Sequence, residues 1–212
     1  MADCGDYPPP PWRLRGEAAI VVVGVRDRAA RRFPRPAGVQ LLTAGGWTLG
    51  GALLARYDEH ATLTYHELIV FSGLARAAGR LAFVVSHIYV DSLRSLRAGR
   101  EIWGLPKELA DFTWASRNVT VDQHGQTLLQ ASFRHRGKGL PLPLYAPVFG
   151  DRAARAVRAA GRGLLRGSPA LAEFEVPPAS PLAGLGMGGR HLGVAGDGLD
   201  LRFPGARVIA KR

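Results

Sequence analysis

The sequence predicts an α+β chain in which antiparallel β-structure predominates and helices are few. Twenty-seven glycines and 15 prolines in 212 residues cut the chain into short runs. Most of those runs are β-branched or aromatic, the composition of a pleated, half-buried surface. Only two stretches carry helical spacing. The length, with 47% apolar and 21% charged residues, suits one globular domain over residues 1–212 and lies outside the disordered range.

In chain order, Met1 to Pro11 ends in four prolines, whose fixed φ favours an extended lead-in. Ala18 to Val25 is short and β-branched, which predicts a buried strand. Arg26 to Pro36 reads as a loop or a single helical turn before a strand at Val39 to Thr43. Glycines 45, 46, 50 and 51 set off two strand pieces, Trp47 to Leu49 and Ala52 to Tyr57. Two further strands follow, Tyr65 to Ser72 and Leu81 to Val90, joined through Gly73 and Gly79.

Asp91 and Ser92 offer a helix N-cap, Leu93, Leu96 and Trp103 share one helical face, and Gly104 with Pro106 ends the helix. Phe112 and Trp114 alternate with polar neighbours. Val119 to Gln123 and Gln126 to Phe133 flank His124-Gly125, a two-residue hairpin turn. From Asp151 to Arg166 arginines stand three or four apart among alanines, which predicts a second helix with a basic stripe on its solvated face. Glu175 to Gly189 is a Pro-, Gly- and Ser-rich loop, and Leu199 to Phe203 and Arg207 to Ile209 complete the sheet. There is no internal repeat.

The formal charge is +11, yet only three of the 28 basic residues are lysines: Lys107, Lys138 and Lys211. Such an arginine skew follows from a GC-rich coding sequence, so the expectation is no nucleic-acid partner, with the Arg152 to Arg166 stripe as the surface to test. The single cysteine, Cys4, forms no internal disulfide, and the six histidines show neither HExxH nor HxH spacing, so no metal site is expected. Gly184 to Gly189 brushes a dinucleotide fingerprint, but no strand precedes it and Pro181 interrupts its approach. Neither a Walker-type phosphate loop nor a GxSxG serine context occurs. No cofactor is expected. The longest apolar run, Ala18 to Val25, is too short to span a bilayer, and the N-terminus lacks a secretory layout. No membrane partner and a cytoplasmic location are therefore expected.

Chemistry concentrates between His87 and Leu109. Lys107 follows a proline and lies near Trp103, Leu105 and Leu109 in a chain that uses few lysines. An amine in apolar surroundings loses solvation of its charged form, which frees a nucleophile near neutral pH. Such an amine attacks ketones, and the protonated Schiff base is an electron sink for decarboxylation, aldol cleavage or α-proton removal. The alternative role is a surface lysine complementing a helix C-terminus. Glu67, inside a hydrophobic strand, is costly to bury unless it is paired or functional.

The segment Ala98-Gly99-Arg100-Glu101-Ile102-Trp103-Gly104-Leu105-Pro106-Lys107, preceded by Ile88-Tyr89-Val90-Asp91, resembles the active-site segment of the acetoacetate decarboxylase family. Tyr65-His66-Glu67 resembles that family's tyrosine-x-glutamate strand, and the resemblance covers residues 47 to 115. It implies a cone-like β-barrel with flanking sheet and few helices, a homo-oligomer, and Lys107 as the Schiff-base residue. Glu67 would serve as general acid/base or as orienter of the substrate. Tyr65 and Tyr89 read as core aromatics with a satisfied hydroxyl, of which only one would reach the substrate, and Trp103 would line the pocket. Arg100 and Glu101 would tie the helix to the barrel, with Arg100 placing positive charge near the lysine or a substrate carboxylate. His66 would face away from the pocket, and His87 has a structural role.

This sequence departs from the family at defined places. Acetoacetate decarboxylase has a second lysine after its Schiff-base lysine and is a standard example of activation by desolvation or a neighbouring cation; here Glu108 follows Lys107. Glu17 and Ala52 stand where the family has an arginine and a glutamate, with Arg13 and Arg15 nearby. The resulting expectation is a cofactor-independent lyase acting on a small oxo acid, by decarboxylation or by related aldol or dehydration chemistry. The alternative is a barrel of the same fold that binds a small ligand without turning it over.

Overall fold

The computed structural model describes residues 7–135 and 139–209. Cys4, Lys138, Lys211 and the first six residues of the lead-in lie outside the described residues. The first strands are β1 (Trp12–Arg26), β2 (Gln40–Leu41), β3 (Trp47–Tyr57), β4 (Tyr65–Ala77) and β5 (Arg80–Val90), with a one-turn helix α1 (Asp27–Ala30) after β1. Helix α2 (Leu93–Trp103) leads into β6 (Lys107–Leu109), β7 (Asp111–Ala115), β8 (Asn118–Gln123) and β9 (Gln126–His135). The chain ends with β10 (Leu140–Arg152), β11 (Arg155–Glu175), β12 (Gly189–Phe203) and β13 (Arg207–Val208).

The sheet order is β10-β5-β4-β3-β1-β12-β11-β9-β8-β7, and β10 also pairs with β11. The first seven strands in that order therefore close into a ring. Pairing is antiparallel except where β10 and β6 each run parallel to β5. The mostly antiparallel class read from the sequence is the observed one.

Alternation along the strands gives the ring two faces. Every ring strand contributes to one core, through Trp12, Ala55, Tyr65, Ile88, Val148, Leu165 and Leu201. The opposite faces of β1, β3 and β4 present Val21, Val23, Leu54, Leu68 and Val70 to a second core, closed by β8, β9, the far half of β11 and Leu182, Leu185 and Met187 of the 176–188 loop. β11 reaches both cores because its register shifts between Arg166 and Ser168, where the strand passes from one layer to the other. Trp12 is 2% exposed and meets Trp103 edge-on at 4.9 Å, and burying a ring of that size contributes on the order of 3 kcal/mol.

The stretch 151–166 corrects the sequence expectation: it is a β-hairpin, not a helix. β10 and β11 turn through Ala153 and Ala154 at φ 50° and 58°, the two positive values of a type I′ turn. The basic stripe is a strand face. Val157, Ala159 and Leu165 are buried at odd positions, whereas Arg162 and Arg166 project outward at even ones. Pairing on both sides overrides the helix propensity of the alanines. Gly163 shows how close the strands run, because a Cβ there would lie 2.0 Å from the carbonyl oxygen of Asp200. Strand β10 itself was hidden by Pro141 and Pro143, which sit where β10 pairs with β11 alone, so a missing N–H costs no second ladder. The expected pieces at Trp47 and Ala52 are one strand, and the 175–189 loop and His124-Gly125 turn are as expected.

Candidate active site

Helix α2 begins where Ser92 Oγ accepts from the Ser95 N–H and ends where Gly104 takes φ 61°. The reversal returns the chain against α2, with the Leu105 N–H donating to the Gly99 carbonyl at 3.0 Å. Pro106 then delivers Lys107 as the first residue of β6, in register with Ile88. The Lys107 side chain runs across the helix at Gly99, where a Cβ would lie 2.3 Å from Lys107 Cδ. Glycine is needed here for the space it leaves.

Lys107 is 4% exposed and Glu67 3%. Nζ donates to Glu67 Oε1 at 2.6 Å and to Ser95 Oγ at 2.9 Å. The other carboxylate oxygen, Oε2, accepts from Tyr57 Oη at 2.8 Å. Tyr65 lies beneath, its ring centroid 5.2 Å from Nζ. The buried ion pair thus has hydrogen bonds on both partners, the condition under which such a pair is tolerated away from water. Burial, and then the Glu67 charge, push the Tyr57 and Tyr65 phenols well above their ordinary range, so both remain protonated.

Lys107, Glu67, Tyr57 and Tyr65 lie on the wall of a cavity of about 70 Å³ inside the ring. The rest of its lining is apolar, including Leu53, Ile69, Val85, Ile88 and Val148, with Trp103 and Phe203 at one side. An amine, a carboxylate in hydrogen-bond contact with it, and a phenol that anchors the carboxylate are therefore gathered on the wall of an apolar cavity. No group of three or more His, Cys, Asp or Glu side chains able to hold a metal ion occurs among the described residues.

A sequence model of the family described as acetoacetate decarboxylase matches residues 4–157. The chain belongs to the acetoacetate decarboxylase family. It is 36% identical over 104 residues to Protein NEOXANTHIN-DEFICIENT 1 of Oryza sativa subsp. japonica, covering 49% of this chain and 34% of that protein. To the Solanum lycopersicum protein of the same name it is 34% identical over 130 residues, 61% of this chain and 43% of that one. The match thus spans less than half the length of these curated relatives. In fold it is similar to the acetoacetate decarboxylase of Legionella pneumophila, with a TM-score of 0.68 and 17% identity over 96% of this chain and 89% of that one. The enduracididine biosynthesis enzyme MppR complexed with pyruvate also gives a TM-score of 0.68 at 17% identity, over 98% and 93% of the two chains.

Set against the acetoacetate decarboxylase pattern, the residues singled out from the sequence separate into groups. Lys107, Glu67, Tyr65 and Trp103 line one cavity. Trp103 is fixed there by its Nε1–H, which donates to the Pro204 carbonyl at 2.7 Å. Tyr89 does not join them. Alternation along β5 points Ile88 into the ring and Tyr89 into the other core, where it stacks on His87. Arg100 is also outside the lining, and its Nε donates to the Lys107 carbonyl at 2.8 Å, which clamps the reversal after α2. Glu101 accepts from Tyr7 Oη and so ties the lead-in to the helix.

Glu108 stands one residue on from Lys107 and faces away from it, with Oε2 accepting from Gln123 Nε2 at 3.0 Å. His66 faces away from the cavity as expected, its Nδ1 2.6 Å from Asp91 Oδ2. Glu17 pairs with Arg56 at the surface, and Ala52 packs in the second core. Arg13 and Arg15 point outward toward Asp200, because β1 turns Trp12 and Leu14 inward.

Sequence reasoning missed Tyr57, Ser95 and Gly99. Tyr57 stands directly opposite Tyr65, so only strand register would have revealed it. Ser95 reads as an ordinary first-turn residue. Its signal is the small-residue face it shares with Ala98 and Gly99, all three buried.

Proposed function

We propose that this chain is a cofactor-independent lyase that forms an imine between Lys107 Nζ and the carbonyl carbon of a small substrate. The observation that supports it is the buried contact of Nζ with Glu67 Oε1, 2.6 Å apart on the wall of an apolar cavity. Proton transfer from Nζ to Oε1 frees the amine lone pair. Attack forms the C–N bond and sends the carbonyl π electrons to oxygen, which takes a proton from the attacking nitrogen to give the neutral carbinolamine while Glu67 stays protonated. Glu67 then protonates the hydroxyl, water leaves, and the iminium forms beside the regenerated carboxylate. In the family's reaction the iminium accepts the electrons of a breaking C–C or C–H bond. Tyr57 holds the second carboxylate oxygen and so positions Oε1 toward Nζ.

The substrate read from the sequence is a small oxo acid, and the MppR structure, which holds pyruvate, is consistent with a small carbonyl compound in this fold. A homo-oligomer in the cytoplasm is the setting proposed for the reaction. The test is borohydride reduction in the presence of small carbonyl compounds, followed by mass analysis of the peptide carrying Lys107. An added substrate mass on that lysine is expected. Unchanged mass across a broad panel, with ligand binding retained, would instead favour a binding barrel without turnover.

A further inference from the structure

We infer that the carbonyl compound taken by this cavity is a neutral short-chain ketone or aldehyde rather than an oxo acid. The inference rests on the imine reading above and replaces the oxo acid expected from the sequence by a neutral carbonyl compound.

The charges of the cavity are already balanced. Among the described residues that line it, Lys107 is the only cation and Glu67 the only carboxylate, and each already compensates the other at 2.6 Å. Converting the ammonium of Lys107 to an iminium replaces one positive charge by one positive charge. A neutral carbonyl compound therefore leaves the site balanced at every stage. A carboxylate-bearing substrate would bring an uncompensated negative charge into an apolar space that already holds the Glu67 carboxylate, and an unpaired buried charge is strongly disfavoured.

The arginines that could have received a carboxylate are turned elsewhere. Arg13 is turned outward by the alternation of β1 and gives Nε and Nη2 to Asp200 at 2.9 and 2.6 Å, and Arg15 follows it toward the same carboxylate. Arg100 spends Nε on the Lys107 carbonyl, and Arg152 gives Nη1 to the Ile102 carbonyl at 3.3 Å. None lines the cavity. The nearest acidic residue of β1, Glu17, is itself paired with Arg56 at the surface, so Arg56 is not turned toward the cavity either.

Size and lining agree. A space of about 70 Å³ is well above the minimum of about 10–15 Å³ for a single water and suits a chain of a few carbon atoms. Its walls offer Leu53, Ile69, Val85, Ile88, Leu105 and Val148 to such a chain. With no carboxylate to expel, the step after imine formation is removal of an α-proton. The iminium takes up the electrons of the broken C–H bond to become an enamine, and Glu67 Oε1 takes the proton.

The test exposes the intact protein to matched pairs at equal concentration, butanone against 2-oxobutanoate and propanal against pyruvate. Cyanoborohydride then fixes any imine, and adducts are localised by peptide mass analysis. The inference predicts at least tenfold more adduct on Lys107 from the neutral member of each pair, with butanone exchanging its α-hydrogens for deuterium in heavy water. Equal or greater labelling of Lys107 by the oxo acids overturns the substrate class and leaves the imine intact. No adduct on Lys107 from any compound overturns the imine reading, and this inference with it.

Discussion

The stem of Lys107 occupies the space that a side chain at Gly99 would need: a Cβ there would stand 2.3 Å from Lys107 Cδ and 2.6 Å from Cε. The helix and the lysine that follows it are therefore fitted to one another, and the fit places Nζ against Glu67. Gly99→Ala adds a helix-favouring residue worth about 1 kcal/mol, but overpacking the lysine stem costs about 1–3 kcal/mol. The variant is expected to be no more stable than the parent in urea melts and to lose at least tenfold in borohydride-trapped adduct. Full trapping in Gly99→Ala would show that the lysine has room to spare.

The buried ion pair yields a stability prediction with an internal control. Lys107→Met leaves the Glu67 carboxylate buried without its cation and is expected to cost about 3–5 kcal/mol. The double variant Lys107→Met with Glu67→Leu removes both charges and is expected to regain most of that loss while trapping no substrate. Denaturant unfolding of the two proteins measures the difference. A double variant as unstable as the single one would mean that the pair stabilises the fold rather than being retained for chemistry.

Tyr57 acts through Glu67. Removing its hydroxyl with Tyr57→Phe deletes a hydrogen bond to a charged group, worth about 1.5–3 kcal/mol. Imine formation is expected to slow roughly tenfold or more, as a weakened share of acid–base assistance. The loss of rate is expected to persist under conditions where the variant is fully folded, whereas a purely structural tyrosine would lower stability and leave the rate of the folded protein unchanged.

The tyrosines also set the alkaline limit of the fold. Burial first, and then the charge of Glu67 at Tyr57 and Tyr65 or of Glu108 at Tyr89, raises these three phenols. Each holds its proton more tightly folded than unfolded. Their contribution is complete below the unfolded phenol value of about 10 and declines as the pH rises beyond it. Tyr145 moves the other way because it accepts a hydrogen bond from Arg158. A spectrophotometric titration should show Tyr145 ionising early and these three ionising only with unfolding.

At the acidic end, burial pushes Asp91 up, but the His66 ring and backbone N–H bonds outweigh it and the net shift is down. The stabilisation is present above the ordinary carboxylate range and lost as the pH falls through the lowered value. His66→Leu is expected to lower the melting temperature near neutrality and to match the parent in strong acid. An equal deficit at both extremes would assign the loss to packing against Phe112 and Trp114.

The resemblance to the acetoacetate decarboxylase family made Lys107 and Glu67 legible as candidates, and local constraints agree with it. The turn after α2 needs Gly104 and Pro106, and a carboxylate in a strand such as Tyr65–Ala77 needs a buried partner. The two ends of the Lys107–Glu67 contact could thus be named 40 residues apart. What stayed hidden depends on pairing. Closure of the ring through β10 rests on two residue pairs with β5, Val148 with Phe83 and Phe149 with Val84. The arginines of 151–166 fit a helix face as well as a strand face, and only the partners on either side decide between them. Tyr89 and Ile88 differ by one position, and without the register of β5 against β4 and β6 either could have faced the cavity.

Imine formation at Lys107 is read most directly from loss of oxygen-18 by a carbonyl-labelled ketone in ordinary water, since an imine must release that oxygen as water and regain another on hydrolysis. Faster loss is expected with the parent protein than in buffer. With Lys107→Arg, which keeps the charge beside Glu67 but removes the nucleophilic amine, loss should fall to the buffer rate. Equal acceleration by the Lys107→Arg protein, or none by the parent, would contradict imine formation at Lys107.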